Sequence, residues 1–404
     1  MTSAVSATGT ERNQIIGLLC TGHLYSHFVM LCVPPMFLIM EADLGVGFAM
    51  LGLLVSVMAL TTGFGQIPMG FLVDRFGGRV ILTLGIGLMS VCLIAAGVSG
   101  TYWVIFFAFG IAGIGNSVFH PADYAILTAR LDDSVFGRAI SLHMFSGYMG
   151  WAVAYAVMLP MANLIGWRQS LMAVGIFGAL ITLLMVVRAG ILDDTSADAV
   201  ARRKQNSAGT DFKEGMSVIA SMPMIMMFLF FSFTAIGGAG LMSFSVVALV
   251  NHHGVDEYLA AASTTMHLVG CAGGVLLGGW LADAAKRHNL VTSAAIAVMA
   301  LCVASLSFGG QAFWFIAAMM VSSGIAYGIS SPSRDVLVKS ATPEGMAGVT
   351  FGFTSTGLSV GNLVGPVLCG WLMDIGKPEY FFIGIAGIIA ISIITVLATR
   401  VRHG

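Results

Sequence analysis

Apolar runs of about 20 residues, the length that crosses roughly 30 Å of hydrocarbon, recur along the whole of this chain. A run of that kind has few options. With no water to bond its N–H and C=O groups, the backbone must satisfy itself as a helix or as a closed barrel. The runs fall at about 14–40, 48–71, 80–97, 102–124, 138–159 and 169–188, and then at about 222–250, 258–282, 290–308, 312–331, 346–373 and 380–399. They are continuous, as membrane helices are, so the expected fold is an all-α membrane protein with twelve transmembrane helices. Composition agrees: 57% of the 404 residues are hydrophobic and 9% charged, whereas a soluble domain carries about 25% charged residues. The 51 glycines spread through these runs suit membrane helices that pack closely.

One polar stretch divides the runs. It holds Asp193-Asp194 and Arg202-Arg203-Lys204 and predicts an N-terminal six-helix bundle over 1–190, a cytoplasmic linker over 191–216 and a C-terminal six-helix bundle over 217–404. Twelve spans put successive loops on alternate sides, and Lys and Arg should collect on the cytoplasmic side. Sixteen of the 18 basic residues lie on the side of the N-terminus, leaving only Arg168 and Lys377 opposite. The chain is therefore expected in the cell inner membrane, with both termini cytoplasmic. A missed span would have scrambled that sorting. No cleaved signal peptide is expected, because 1–14 lacks a basic region followed by a short apolar core. All six cysteines sit in apolar runs without a repeated short spacing, so neither a disulfide framework nor a zinc site is expected.

The second half repeats the first. A shift of 211 brings Pro121 onto Pro332, Gly137 onto Gly348 and Gly150 onto Gly361, and a shift of 209 brings Gly70 onto Gly279 and Asp74 onto Asp283. Parallel six-span repeats, with a solute site between halves near the midplane, point to alternating access. The run Gly70-Phe-Leu-Val-Asp74-Arg75-Phe-Gly77-Gly78-Arg79 resembles the signature loop of the major facilitator superfamily, with Gly78 standing where the family has a basic residue. The copy from Gly279 to Arg287 keeps Gly279 and Asp283 without the paired arginine. The resemblance covers essentially the whole chain. It implies two six-helix bundles related by pseudo-twofold symmetry and a conformational latch at Gly70, Asp74, Arg75, Arg79 and Asp283. The bland alternative for the arginines is anchoring at the membrane surface. Asp74 is expected to cap or face a neighbouring helix end. Residues 113–121 are similar to the fourth span of the fosmidomycin-resistance-like exporters. The fifth span lacks the Gly-Pro motif common among antiporters, which occurs instead at Gly365-Pro366 in the eleventh.

Polar and ionisable groups inside spans are costly and mark function by default. His23 and His27, four apart on one face of the first span, are expected either to form a protonatable cavity wall or to be neutral imidazoles bonded to neighbouring helices. His267 is the corresponding residue of the second half. His143, near the predicted end of the fifth span, is expected to be solvated or to cap a helix, and His252 and His253 are given no role. Asp123 aligns with Arg334, beside Asp335, under the 211 shift, which suggests a cytoplasmic gate whose test is coupled rather than additive effects of double substitution. Tyr148, Trp151 and Tyr155 form an aromatic stripe with polar tips, faced in the paired span by Ser359, Asn362 and Pro366. Packing accounts for such a stripe, and so does contact with an organic solute.

These features point to a monomeric secondary transporter of a small organic solute, coupled to protons and surrounded by lipid, with export placed ahead of uptake of a small organic acid or nutrient. No Gly-x-x-x-x-Gly-Lys-Ser/Thr string exists, so no nucleotide site is expected. No cofactor, resident metal or nucleic-acid partner is expected either. Soft-metal transport is a weaker reading, resting on 26 methionines, Cys20 near His23, and His267 four residues before Cys271. An integral membrane enzyme or a receptor lacks a supporting motif.

Overall fold

The computed structural model describes residues 9–194, 217–343 and 346–398. Arg202-Arg203-Lys204 and most of the expected linker lie outside the described residues. Among the described residues, twelve helices are long and apolar enough to cross a membrane: Gly9–Leu44, Phe48–Phe76, Gly78–Val98, Tyr102–Arg130, Val135–Ile165, Trp167–Val187, Met222–His253, Glu257–Ala284, His288–Ser305, Phe313–Ser340, Thr350–Asp374 and Glu379–Ala398. They are numbered here as the first to the twelfth span. The fourth and tenth run well past their expected ends at 124 and 331. Polar residues such as His120, Asp123 and Arg334 lower the local hydropathy there without breaking the helix. Asp123 therefore lies inside its span.

Two spans change course, for local reasons. In the first, Gly9–Met30 gives way to a 3-10 turn at Pro34–Met36 before the helix resumes at Phe37–Leu44. The prolines offer no N–H and push the residue before them out of helical geometry. In the fourth, Tyr102–Asn116 stops and Phe119–Arg130 begins afresh. Ser117 turns its hydroxyl back onto the Ile114 carbonyl at 2.7 Å. Pro121 then falls in the first turn of the new helix, where a missing N–H costs little.

The chain divides into two compact units, one of 1–33 with 57–208, the other of 34–56 with 209–404. Inside the first unit the first span packs on the fifth, and the third packs on the fourth and sixth. Inside the second, the seventh packs on the eleventh, and the ninth on the tenth and twelfth. These pairings correspond after a displacement of six spans, as the sequence repeat does, while the second unit adds an extensive packing of the eighth span on the tenth.

The loop between the second and third spans turns at Gly77, whose φ of +87° belongs to the region that favours glycine. A Cβ on the next residue, Gly78, would stand 2.8 Å from the Ala122 carbonyl oxygen, which explains why a larger basic residue is absent there. The third span is capped by Asp194, which accepts from the backbone N–H of Gly78 at 2.7 Å and of Arg79 at 3.4 Å. Arg79 reaches the Ala189 carbonyl at 3.3 Å and Asp193 at 3.9 Å. The cap thus comes from the far end of the sixth span, while Asp74 lies exposed one turn earlier.

Candidate functional site

The first and fifth spans meet where the sequence alternates bulky imidazoles with glycine. His23 and His27 project toward Gly147, and a Cβ on Gly147 would lie 2.7 Å from Cε1 of His23 and 2.9 Å from Cε1 of His27. Glycine at this position is what admits both rings. The ring centroids of His23 and His27 are 4.4 Å apart.

Two further histidines join them. His143 lies parallel to His23, with centroids 3.8 Å apart and planes 13° apart, and His120 is 5.8 Å from His23. His143 is 1% exposed, so the solvated or capping role expected for it is corrected. The fifth-span helix begins at Asp133, which places His143 in its third turn rather than near its end. Its Nε2 faces the Asp123 carboxylate at 3.4 Å, and Asp123 is fully buried. His120 had drawn no role from the sequence. The break in the fourth span sets it three residues ahead of Asp123, so both sit on one face of the short helix. The only sequence signal for it was an ionisable residue within an apolar run.

The hydrogen bonding of this cluster is incomplete. His23 Nδ1 pairs with the His143 carbonyl at 2.8 Å, which also accepts from Ser146 Oγ at 2.6 Å. Among the described residues, His23 Nε2, His27 Nδ1, both nitrogens of His143 and both oxygens of Asp123 are sealed from solvent without a hydrogen-bond partner. Buried polar groups are paired in most proteins, and six unpaired atoms in one place set this cluster apart as the candidate site. Next to it, Ser26 donates to Asn116, whose amide donates to Thr62 at 3.3 Å. That ladder ties the first, fourth and second spans together at the fourth-span break.

Along the fifth span, Trp151 leans on His27 with centroids 4.5 Å apart, and Tyr148 meets Trp151 edge-on at 5.4 Å. Tyr148 and Trp151 are half-buried, whereas Tyr155 is 1% exposed. The stripe therefore splits: two aromatics border accessible space and the third is packed away. Two apolar clefts, of about 310 Å³ beside Leu24 and Phe177 and about 670 Å³ beside Leu277 and Trp280, have no histidine in their walls.

The second unit holds a different kind of histidine. His267 Nδ1 lies 2.8 Å from Ser323 Oγ and 3.2 Å from the Met320 carbonyl, and Nε2 lies 3.6 Å from Cys271 Sγ. Both ring nitrogens are occupied, which is the arrangement of a structural residue. Arg334 donates to Asp335 at 3.0 Å and covers the Phe231 ring at 4.6 Å. Asn362 and Gly70 are half-buried, Gly70 and Arg75 falling inside the second-span helix that runs to Phe76, and Asp283 is exposed in the last turn of the eighth span. His252 and His253 fasten to the carbonyls of Ser307 and Leu306, each at 2.9 Å. Among the described residues no group of three or more His, Cys, Asp or Glu is arranged to hold a metal ion.

Comparison with known proteins decides the family. The model of the Major Facilitator Superfamily matches residues 19–357 and, in a second alignment, 264–403. The chain belongs to that superfamily. It is a multi-pass membrane transporter and not an enzyme. It is 24% identical over 335 residues to the multidrug resistance protein MdtH of Salmonella arizonae, covering 79% of this chain and 78% of that one. The same identity and coverage hold for MdtH of Salmonella paratyphi B. Among solved structures, the nucleoside transporter NupG superposes with a TM-score of 0.78 at 14% identity, over 94% of this chain and 99% of that one. A bacterial homologue of the human lysosomal transporter Spinster, without ligand, superposes with a TM-score of 0.73 at 17% identity, over 97% and 95%. At those identities the structures show the fold alone.

Proposed function

We propose that this member of the superfamily exports a small organic solute in exchange for protons, working as a monomer in the cell inner membrane with both termini cytoplasmic. The observation that carries the reading is the cluster of His23, His27, His120, His143 and Asp123, whose buried unpaired atoms are suited to gain and lose a proton during a transport cycle. Imidazole is the side chain that ordinarily changes charge near neutral pH. Trp151, touching both His27 and Tyr148, links that cluster to an aromatic wall suited to a solute with an apolar body and a few polar groups. Export is supported by the relatives named for multidrug resistance, and the sidedness by the distribution of Lys and Arg.

The test is flux in proteoliposomes containing the full chain, with a panel of lipophilic fluorescent dyes and an imposed pH gradient. Dye movement opposite to the proton gradient, abolished by a protonophore and by Asp123→Asn, is the expected result. Movement indifferent to the gradient would overturn the coupling. Movement in the same direction as protons would replace export by uptake.

A further inference from the structure

We infer that His120 is the port through which a proton passes between water and a sealed relay of His23, His143 and Asp123, and that the relay holds one exchangeable proton. The inference rests on the proton-coupled reading above and deepens it by assigning the path and the number of protons.

The tautomer of His23 is the first step. Its Nδ1 bonds a carbonyl oxygen, that of His143, and a carbonyl only accepts, so Nδ1 carries a hydrogen and donates it. In the neutral ring Nε2 is then left with a bare lone pair, and Nε2 is the atom without a partner. It is the base of the cluster. Asp123 supplies the acid: an ionised carboxylate with both oxygens unbonded and no exposure is costly, and a proton placed on it, or on the His143 nitrogen facing it at 3.4 Å, relieves that cost. His143 thus lies between base and acid. Two imidazolium rings stacked at the 3.8 Å separation of His23 and His143 would repel strongly, so the groups share one proton.

The relay is closed to water, since His23 and His143 are each 1% exposed and Asp123 is 0% exposed. His120 is exposed and its ring is 5.8 Å from His23. An imidazole turned toward hydrocarbon is expensive, so the exposed side of His120 faces aqueous space. The remaining titratable groups near the relay come from the first and fourth spans. His27 lies against Trp151, toward the aromatic wall, and Cys20 lies beside Ser146. Glu11 and Arg130 pair with each other at the ends of the first and fourth spans. Of the histidines around the relay, His120 is the exposed one, while His27, 4.4 Å from His23, is half-buried against Trp151.

The test uses the full chain in lipid nanodiscs with nitrogen-15-labelled histidine, followed from about pH 5 to about pH 9. Signals are assigned with His23→Gln, His27→Gln, His120→Gln and His143→Gln. The expected spectra show imidazolium character on His23 and His143 that never exceeds one proton for the pair. In His120→Gln, exchange of the relay proton with water is expected to slow by about a hundredfold, while the populations stay as they were. His120→Glu, which keeps a titratable group at that position, should restore the rate; a slow rate in both variants would overturn the port. Full charge on both buried rings at one pH would overturn the single proton, and an unchanged rate in His120→Gln would overturn the port outright. No solute enters this measurement. Flux indifferent to a pH gradient would therefore defeat the coupling while leaving the relay measurable, and a doubly charged pair would defeat the relay while leaving proton-driven flux intact.

Discussion

A glycine sets the geometry of the histidine cluster. Because a methyl at Gly147 would press on both His23 and His27, Gly147→Ala forces the rings or the helices apart, at about 1–3 kcal/mol for such overpacking. The expected outcome is a lowered melting temperature together with weakened pH-gradient-driven flux. A stable variant with unchanged flux would show that the spacing of the rings is irrelevant. His267 offers the contrast. Its ring nitrogens are both engaged, so His267→Gln should cost stability while leaving the pH dependence of flux where it was. The sequence separated them only by spacing, since His23 and His27 lie four apart on one face and His267 stands alone in its apolar run. Only the presence or absence of a partner across the helix interface distinguishes them.

At the scale of elements, two acidic residues cap helices that are remote in sequence. Asp194 caps the third span from a buried position, and its replacement by Ala should cost about 1–2 kcal/mol, with Asn retaining part of the bond. Asp374, at the end of the eleventh span, accepts from the N–H groups of Phe48 at 2.6 Å and Ala49 at 2.9 Å at the start of the second. Ser56 Oγ reaches the Leu363 carbonyl at 2.7 Å further along the same seam. The segment 34–56 is thereby held within the second unit. Solvent screens the exposed Asp374, so Asp374→Ala should cost about 0.5 kcal/mol, at the low end of the capping range, read as the shift in thermal unfolding. The sequence showed acidic residues at loop positions and a Gly-Gly turn. It did not show which helix end each carboxylate serves, because a cap acts through a contact that has no fixed sequence spacing.

At the scale of the whole molecule, sidedness is open to direct measurement. Lys286→Cys and Lys377→Cys follow different spans and should label with an impermeant maleimide from opposite sides. Position 377 should react in intact spheroplasts and position 286 only after permeabilisation. Five of the six native cysteines are buried, which keeps the background low. Equal labelling of both positions would reject the proposed orientation. A transported solute should also raise the thermal stability of the purified protein, by about 2.7 kcal/mol at a hundred times its Kd.

The number of spans and the six-span repeat follow from the sequence by itself, because hydrocarbon imposes helix on every apolar run, whereas the break at Pro34 and Pro35 inside the first run emerged only in the folded chain. The same physics made His23, His27 and Asp123 conspicuous as polar groups in apolar surroundings. Helix packing decided what surrounds those groups. The fourth-span break turns His120 and Asp123 to one side, Gly147 lets the first and fifth spans close in, and His143 then lies between a base and an acid that are 100 positions apart in the chain. Hydropathy is a property of neighbours along the sequence, whereas a proton site is a property of neighbours in space.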